Sequence, residues 1–344
     1  MKPLFRRHHP AEQTRYQDVV QSARAQSQVL RGTPGTLRER VQNGNRYWVR
    51  QYLRIDGGKD DEYIGAVGTV DDAKIDRFRS RITEAQMLAK ASGDLRLVGF
   101  QRIDKKPAAV LGALFNARLF EAGLTLVGSH AFGVLLNELG IVVPGYRTRD
   151  LACNAPLDLA LPADRSFLTI LRGSQLSFVP VPGFPSSKPS SSFKLPASDD
   201  LLVDLLVPGK NDQVGEIVEV KELHAHAQTI PFLPFLLEQR LNAVVLSPNH
   251  VVPVAVPSPE RFAVHKLISS QQRKQDLAKS VKDAEQAAVI AAALEEMFPG
   301  RLAEAWSALP RGARSIAKVS AAHALRLLGD AHPEAAEVLA RFAR

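Results

Sequence analysis

Three short segments of this chain hold a glycine turn, a hydroxyl and carboxylates in the order that metal-dependent phosphoryl transfer uses. Gly128-Ser129 closes LTLVGS (124–129), an apolar run that reads as a buried strand opening into a tight turn. Such a strand-to-helix turn presents backbone N–H groups and a hydroxyl to phosphate oxygens, and the following helix adds a favourable field. The second segment, Thr148-Arg149-Asp150-Leu151-Ala152, sets Asp150 on an expected strand (RTRDLAC, 147–153), where a hard carboxylate suits Mg²⁺. A second carboxylate at i+2 would face the same way, because strand side chains alternate. Two carboxylates on one face can hold the paired ions that clamp attacking and leaving oxygens. Here the i+2 residue is Ala152, a gap in the pattern. The third segment is Asp204 inside LLVDLLV (201–207), a charge set into an apolar strand. A buried carboxylate requires a cation, a metal or hydrogen-bond donors; an Asp that caps a neighbouring turn or pairs with an arginine would meet the same requirement.

Other constellations are poorer. His224-Ala225-His226 with Glu222 offers two imidazoles at i, i+2 to a metal, without a third His or Cys at a usual spacing. Cys153, the single cysteine, excludes an internal disulfide framework and has no nearby His to make it a nucleophile. Tyr47, Trp48, Tyr52 and Tyr63 can stack on bases between Arg46, Arg50 and Arg54, or they can serve as cross-strand packing pairs. His8-His9 beside Arg6-Arg7 is expected in a flexible end. No Gly-rich Walker or dinucleotide fingerprint is present.

These residues need elements to position them. The sequence predicts a helix over 11–31, broken by GTPG (32–35), then a hairpin from NRYWVRQYLRI (45–55) and DEYIGAV (61–67) around DGGKD. A charged helix is expected over 71–92, and apolar helices over 104–122 and 130–140, the latter closed by Gly140. Further strands are expected at FLTIL (167–171), SFVPV (177–181), AVVL (243–246) and VVPVAV (251–256). The Pro/Ser-rich GFPSSKPSSSFKLPAS (183–198) reads as an exposed, mobile loop. Ser258-Pro259-Glu260 is a helix start, with Ser as N-cap and Pro at the first position, and the remainder is helical. The organisation is therefore an accessory region (1–100), an α/β or α+β core with a mixed sheet (101–257) and a helical domain (258–344).

At 344 residues and 37.6 kDa, with 45% hydrophobic and 23% charged residues, the chain is too apolar to be wholly disordered. MKPLFRRHHP lacks the apolar core of a secretory signal, and no apolar run is long enough to span a bilayer. A cytoplasmic protein without a membrane partner is expected. Residues 1–55 hold eleven Lys/Arg against three acids (Glu12, Asp18, Glu39), equal to the whole formal charge of +8. A basic arm on a neutral body can steer a polyanion such as RNA; scattered arginines equally suit a solvated surface.

LVGSHAF…TRD, then VDLLVP, then VPSPERFAVHKLISSQQR…KSVKDAEQA together resemble a bacterial family of the DNA-polymerase-beta-like nucleotidyltransferase superfamily. LRERVQNGNRYWVRQY…EYIG is similar to the family's leader, and the HK…R…KD pattern is similar to abortive-infection-type nucleotidyltransferase toxins. The resemblance implies a nucleotidyltransferase fold that moves NMP from an NTP to an acceptor hydroxyl, of RNA or tRNA or of protein, with two Mg²⁺ ions in an active form. It assigns nucleotide binding to Gly128 and Ser129 and metal binding to Asp150 and Asp204. It sets Ala152 where the family has its second acid. It matches Lys266 to a lysine that contacts NTP phosphates and Asp283 to a nearby acid of the same helical motif. A solvated Lys266 and a packing role for His265 are the plainer alternatives. Ala152 has three explanations: a replaced acid that traps an inactive form, a chain that kept the fold and lost the reaction, or Asp158 supplying the carboxylate after a loop. The rival functions are a catalytically silent nucleotide- or nucleic-acid-binding module and a toxin–antitoxin component with an antitoxin-like protein partner.

Overall fold

The computed structural model describes residues 2–144, 151–154, 166–183, 188–196, 198–209, 215–273 and 276–344, with the backbone alone for 151–154 and 198–200. The N-terminus is tied down. Strand β1 (Arg6–Arg7) pairs antiparallel with a segment at 141–142, and His8 is buried with its ring stacked 3.8 Å from Phe100. His9 caps α1 (Pro10–Arg24) through a capping box with Glu12. The flexible end expected for His8-His9 is thus replaced by an ordered strand and cap.

Three strands follow, β2 (Thr36–Gln42), β3 (Asn45–Leu53) and β4 (Lys59–Ala66), forming one antiparallel sheet in place of the expected two-strand hairpin. Asn43 and Gly44, both with positive φ, make the extra turn, which a non-apolar TLRERVQ strand concealed. The helix α2 (Asp72–Leu97) packs with α1 against a hairpin at 240–257. Tyr16, Val20, Leu88, Leu95 and Phe100 close there on Val244, Leu246 and Val251.

In the core, α3 (Lys105–Asn116) leads to β5 (Thr125–Val127), α4 (Gly128–Glu138), β6 (Ile141–Val142) and β7 (Leu151–Asn154). FLTIL is not a strand: α5 (Phe167–Arg172) forms because Ser166 accepts the Thr169 amide as N-cap, and so short an apolar run fixes no period. After β8 (Val179–Pro180), the expected mobile loop contains β9 (Ser192–Leu195), whose alternation buries Phe193 and Leu195. Then come β10 (Ser198–Gly209), β11 (Ile217–Val220) and β12 (Ala225–Pro231). The sheet is mixed, in the order β11-β12-β10-β7-β5. Strands β7 and β12 run parallel to β10, β5 runs antiparallel to β7, and β9 runs antiparallel to β10 and carries β8. This is the α+β architecture expected.

The short α6 (Leu233–Leu237) precedes the hairpin of β13 (Arg240–Leu246) and β14 (Val251–Pro257). Among the described residues, five α-helices follow: α7 (Pro259–Gln272), α8 (Leu277–Met297), α9 (Arg301–Ala308), α10 (Arg311–Leu328) and α11 (Pro333–Phe342). Ala284, Ala287, Ala288, Ala291 and Ala292 are buried along α8. Such small side chains let neighbouring helix axes approach closely. Ser258 is the N-cap of α7 by position, but its hydroxyl makes no capping bond. No helix of the described residues is long and apolar enough to cross a membrane.

Candidate active site

The sheet brings the candidate residues into one row by register. Val127 of β5 is the partner of position 152 on β7, and position 152 is the partner of Asp204 on β10. Asp204 in turn faces Ser192 across the β9–β10 pairing, and the Ser192 hydroxyl donates to Asp204 Oδ1 at 2.6 Å. The Asp204 carboxylate is half-buried, so this donor supplies part of what a charge in an apolar strand requires. Ser192 had no signal in the sequence beyond its place in a Ser-rich run. Position 152 therefore lies between the strand that opens into Gly128-Ser129 and the strand that carries Asp204. Asp150, Arg149 and Asp158 lie outside the described residues.

The turn after β5 has the backbone that the glycine predicts. Gly128 has φ of 71°, a conformation costly for residues with a Cβ, and α4 starts there. Val127, an apolar N-cap, gives α4 no side-chain cap. The helix beneath is fixed by burial of every residue from His130 to Asn137. Ser129 lines a cleft of about 390 Å³ together with Arg96, Gln101, Arg102, Asp104 and Asn137. Asn137 holds one wall, accepting from the Gln101 amide at 2.7 Å and donating to its carbonyl at 2.9 Å.

Lys266 and Asp283 are brought together, away from solvent. Lys266 Nζ lies 2.5 Å from Asp283 Oδ1, with side-chain exposures of 7% and 5%, and Arg273 Nε is 3.0 Å from Asp283 Oδ2. Burial lowers the Lys266 pKa and the Asp283 charge opposes that shift. A solvated helix lysine is thus excluded: Lys266 joins α7 to α8 through an ion pair, with the Phe262 ring 5.3 Å from its ammonium. His265 is buried with its pKa lowered to about 4, first by desolvation and then by the Lys266 charge, as suits a packing histidine.

The remaining candidates are placed elsewhere. His224 ends a single helical turn with φ of 43°, and His226 faces Glu219 across β11–β12. Among the described residues no three His, Cys, Asp or Glu side chains are grouped to hold a metal. In the first region most arginines have acidic partners: Arg7 with Glu296, Arg15 with Asp94, Arg38 and Arg40 with Asp61, Arg46 with Glu39, and Arg54 with Asp56. The acids of DGGKDDE, just beyond residue 55, thus offset much of the basic excess. Arg50 is 1% exposed, bonded to Glu62 and to the carbonyls of Arg31, Thr33 and Pro34, and Tyr52 is buried beneath it. Neither side chain is open to a base. Tyr47 and Tyr63 form an edge-on cross-strand pair with centroids 5.7 Å apart, as the packing reading expects.

The mixed sheet thus presents a Gly-Ser turn on one side of β7 and the Asp204 carboxylate on the other. Residues 105–310 match the family model described as Nucleotidyltransferase, and the chain belongs to that family. No curated protein and no solved structure matches it significantly.

Proposed function

We propose that this chain binds an NTP at the β5–α4 turn and is built to transfer its NMP to an acceptor hydroxyl, with a divalent cation as cofactor. The observation that carries this reading is the register Val127–152–Asp204, which sets the phosphate-binding turn and the Asp204 carboxylate on either side of a single strand. The first-turn N–H groups of α4 and the Ser129 hydroxyl bind phosphate oxygens. Asp150 and Asp204 are the oxygen donors for the cation, which neutralises phosphate charge when bound. Ser192 orients Asp204 by its 2.6 Å bond. The acceptor oxygen attacks the α-phosphorus, the bond to the β-phosphate oxygen breaks, and pyrophosphate leaves. Asp204 is our candidate to take the acceptor proton.

The donor set fits one cation better than two, because the position paired with Asp204 is Ala152. A chain missing one acid of three retains nucleotide binding and transfers slowly, so a largely silent nucleotide-binding protein is the second reading that this same observation favours. Incubation with each α-³²P-NTP, Mg²⁺ and either total RNA or total protein, for this chain and its Ala152→Asp variant, separates the two. The expected result is transfer raised on the order of 10²-fold or more by the added carboxylate. Label in neither chain would leave the binding reading in place of the transferase one.

A further inference from the structure

The cleft beside Ser129 contains a feature that the catalytic row does not use. Its walls include Arg96, at the end of α2 in the accessory region, and Arg102, in the segment that leads into α3. Unlike the arginines of the first sheet, neither guanidinium group has a hydrogen-bond or ion-pair partner among the described residues. Arg102 is half-buried, and its pKa is lowered by desolvation and then by the Arg96 charge, with Asp104 opposing. Two mutually repelling guanidinium groups in one partly enclosed cleft make a place where an anion lowers the energy of both. The cleft is also walled by Val245, Leu246 and Pro248 of the β13–β14 hairpin, and Ser129, at the start of the helix that follows β5, lines it as well. A nucleotide whose phosphates are bound at Ser129 would therefore have its terminal phosphates beside this cleft.

We infer that Arg96 and Arg102 form a polyphosphate subsite that holds the terminal phosphates of the nucleotide, so that the accessory region supplies part of the substrate site. This rests on the NTP reading above, and it makes the chain selective for triphosphates over monophosphates. Arginine suits the task because its planar fork donates two parallel bonds to phosphate oxygens and stays charged at any physiological pH.

Calorimetric titration of the full chain with inorganic tripolyphosphate tests the subsite without requiring catalysis. Wild type should bind tripolyphosphate more tightly than orthophosphate, and Arg96→Ala and Arg102→Ala should each weaken it about tenfold or more. Arg102→Lys should recover part of the loss, and unchanged melting temperatures would show that folding is intact. Wild-type affinity in both alanine variants, or no tripolyphosphate binding by wild type, would overturn the inference. So would arginine-dependent binding of a 5′-phosphorylated oligonucleotide without binding of tripolyphosphate, which would make the cleft an acceptor site. The two proposals fail separately. Arginine-dependent tripolyphosphate binding with no transfer by Ala152→Asp would retain the subsite and remove the transferase reading. Transfer by Ala152→Asp with an NTP KM unmoved by loss of Arg96 or Arg102 would do the reverse.

Discussion

Arginine has opposite roles in two neighbouring regions of this molecule. In the β2–β4 sheet, Arg50 is enclosed by three backbone carbonyls and Glu62, and Arg38 and Arg40 share Asp61, so those charges are spent inside the fold. In the cleft at Ser129, Arg96 and Arg102 face a common space with Asp104 as the adjacent acid. The first region carries part of the basic excess of residues 1–55 and the cleft arginines lie outside it, yet the cleft is where we propose that an anion binds. Net charge is therefore a poor guide to where a polyanion binds until each cation has been matched with its partners.

The contrast can be sharpened first at a buried ion pair. Lys266→Met leaves the Asp283 carboxylate buried beside Arg273 alone, and should cost about 3–5 kcal/mol, as for other broken buried pairs. A Lys266→Met, Asp283→Leu double variant should recover much of that loss. Urea denaturation measures both, and a single-variant cost below 1 kcal/mol would show that the pair does not hold α7 to α8. Next in size is Arg50→Met, which orphans the carbonyls of Arg31, Thr33 and Pro34 and should cost about 2–4 kcal/mol. Arg96→Ala, on an exposed helix end, should leave the same midpoint unchanged. Equal losses from the two would erase the distinction between structural and binding arginines.

A smaller effect is expected from acid. His250 and His265 are buried, and desolvation lowers both from 6.5 to about 4. Between those values the unfolded chain binds protons at these residues and the native chain does not. Stability is therefore complete above pH 6.5 and falls as the pH drops towards 4. At pH 5 each histidine should cost about 1–2 kcal/mol relative to pH 7.5, and a His250→Gln, His265→Gln variant should show a flatter profile. A wild-type urea midpoint constant between pH 7.5 and 5 would show that neither histidine is held neutral.

The sequence by itself determined the local pieces of the site. Gly128 at a strand end pointed to a tight turn, Asp204 in an aliphatic run required a partner, and VPSPERF favoured a helix start, because each is a conflict or preference settled within a few residues. It also determined the family, through motifs kept in order across 105–310. Tertiary structure alone decided what faces what. Sheet register, set by hydrogen bonds between strands up to about 50 residues apart in sequence, put position 152 between Val127 and Asp204 and put Ser192 on that carboxylate. FLTIL became a helix and SFKL a strand because caps and buried faces outweigh the weak period of four or five residues. Burial, which depends on every neighbouring element at once, withdrew Arg50 and Lys266 from solvent and left Arg96 and Arg102 in a cleft. Nothing in the spacing of an isolated arginine distinguishes these fates, because the desolvation that separates them exists only once the chain has folded.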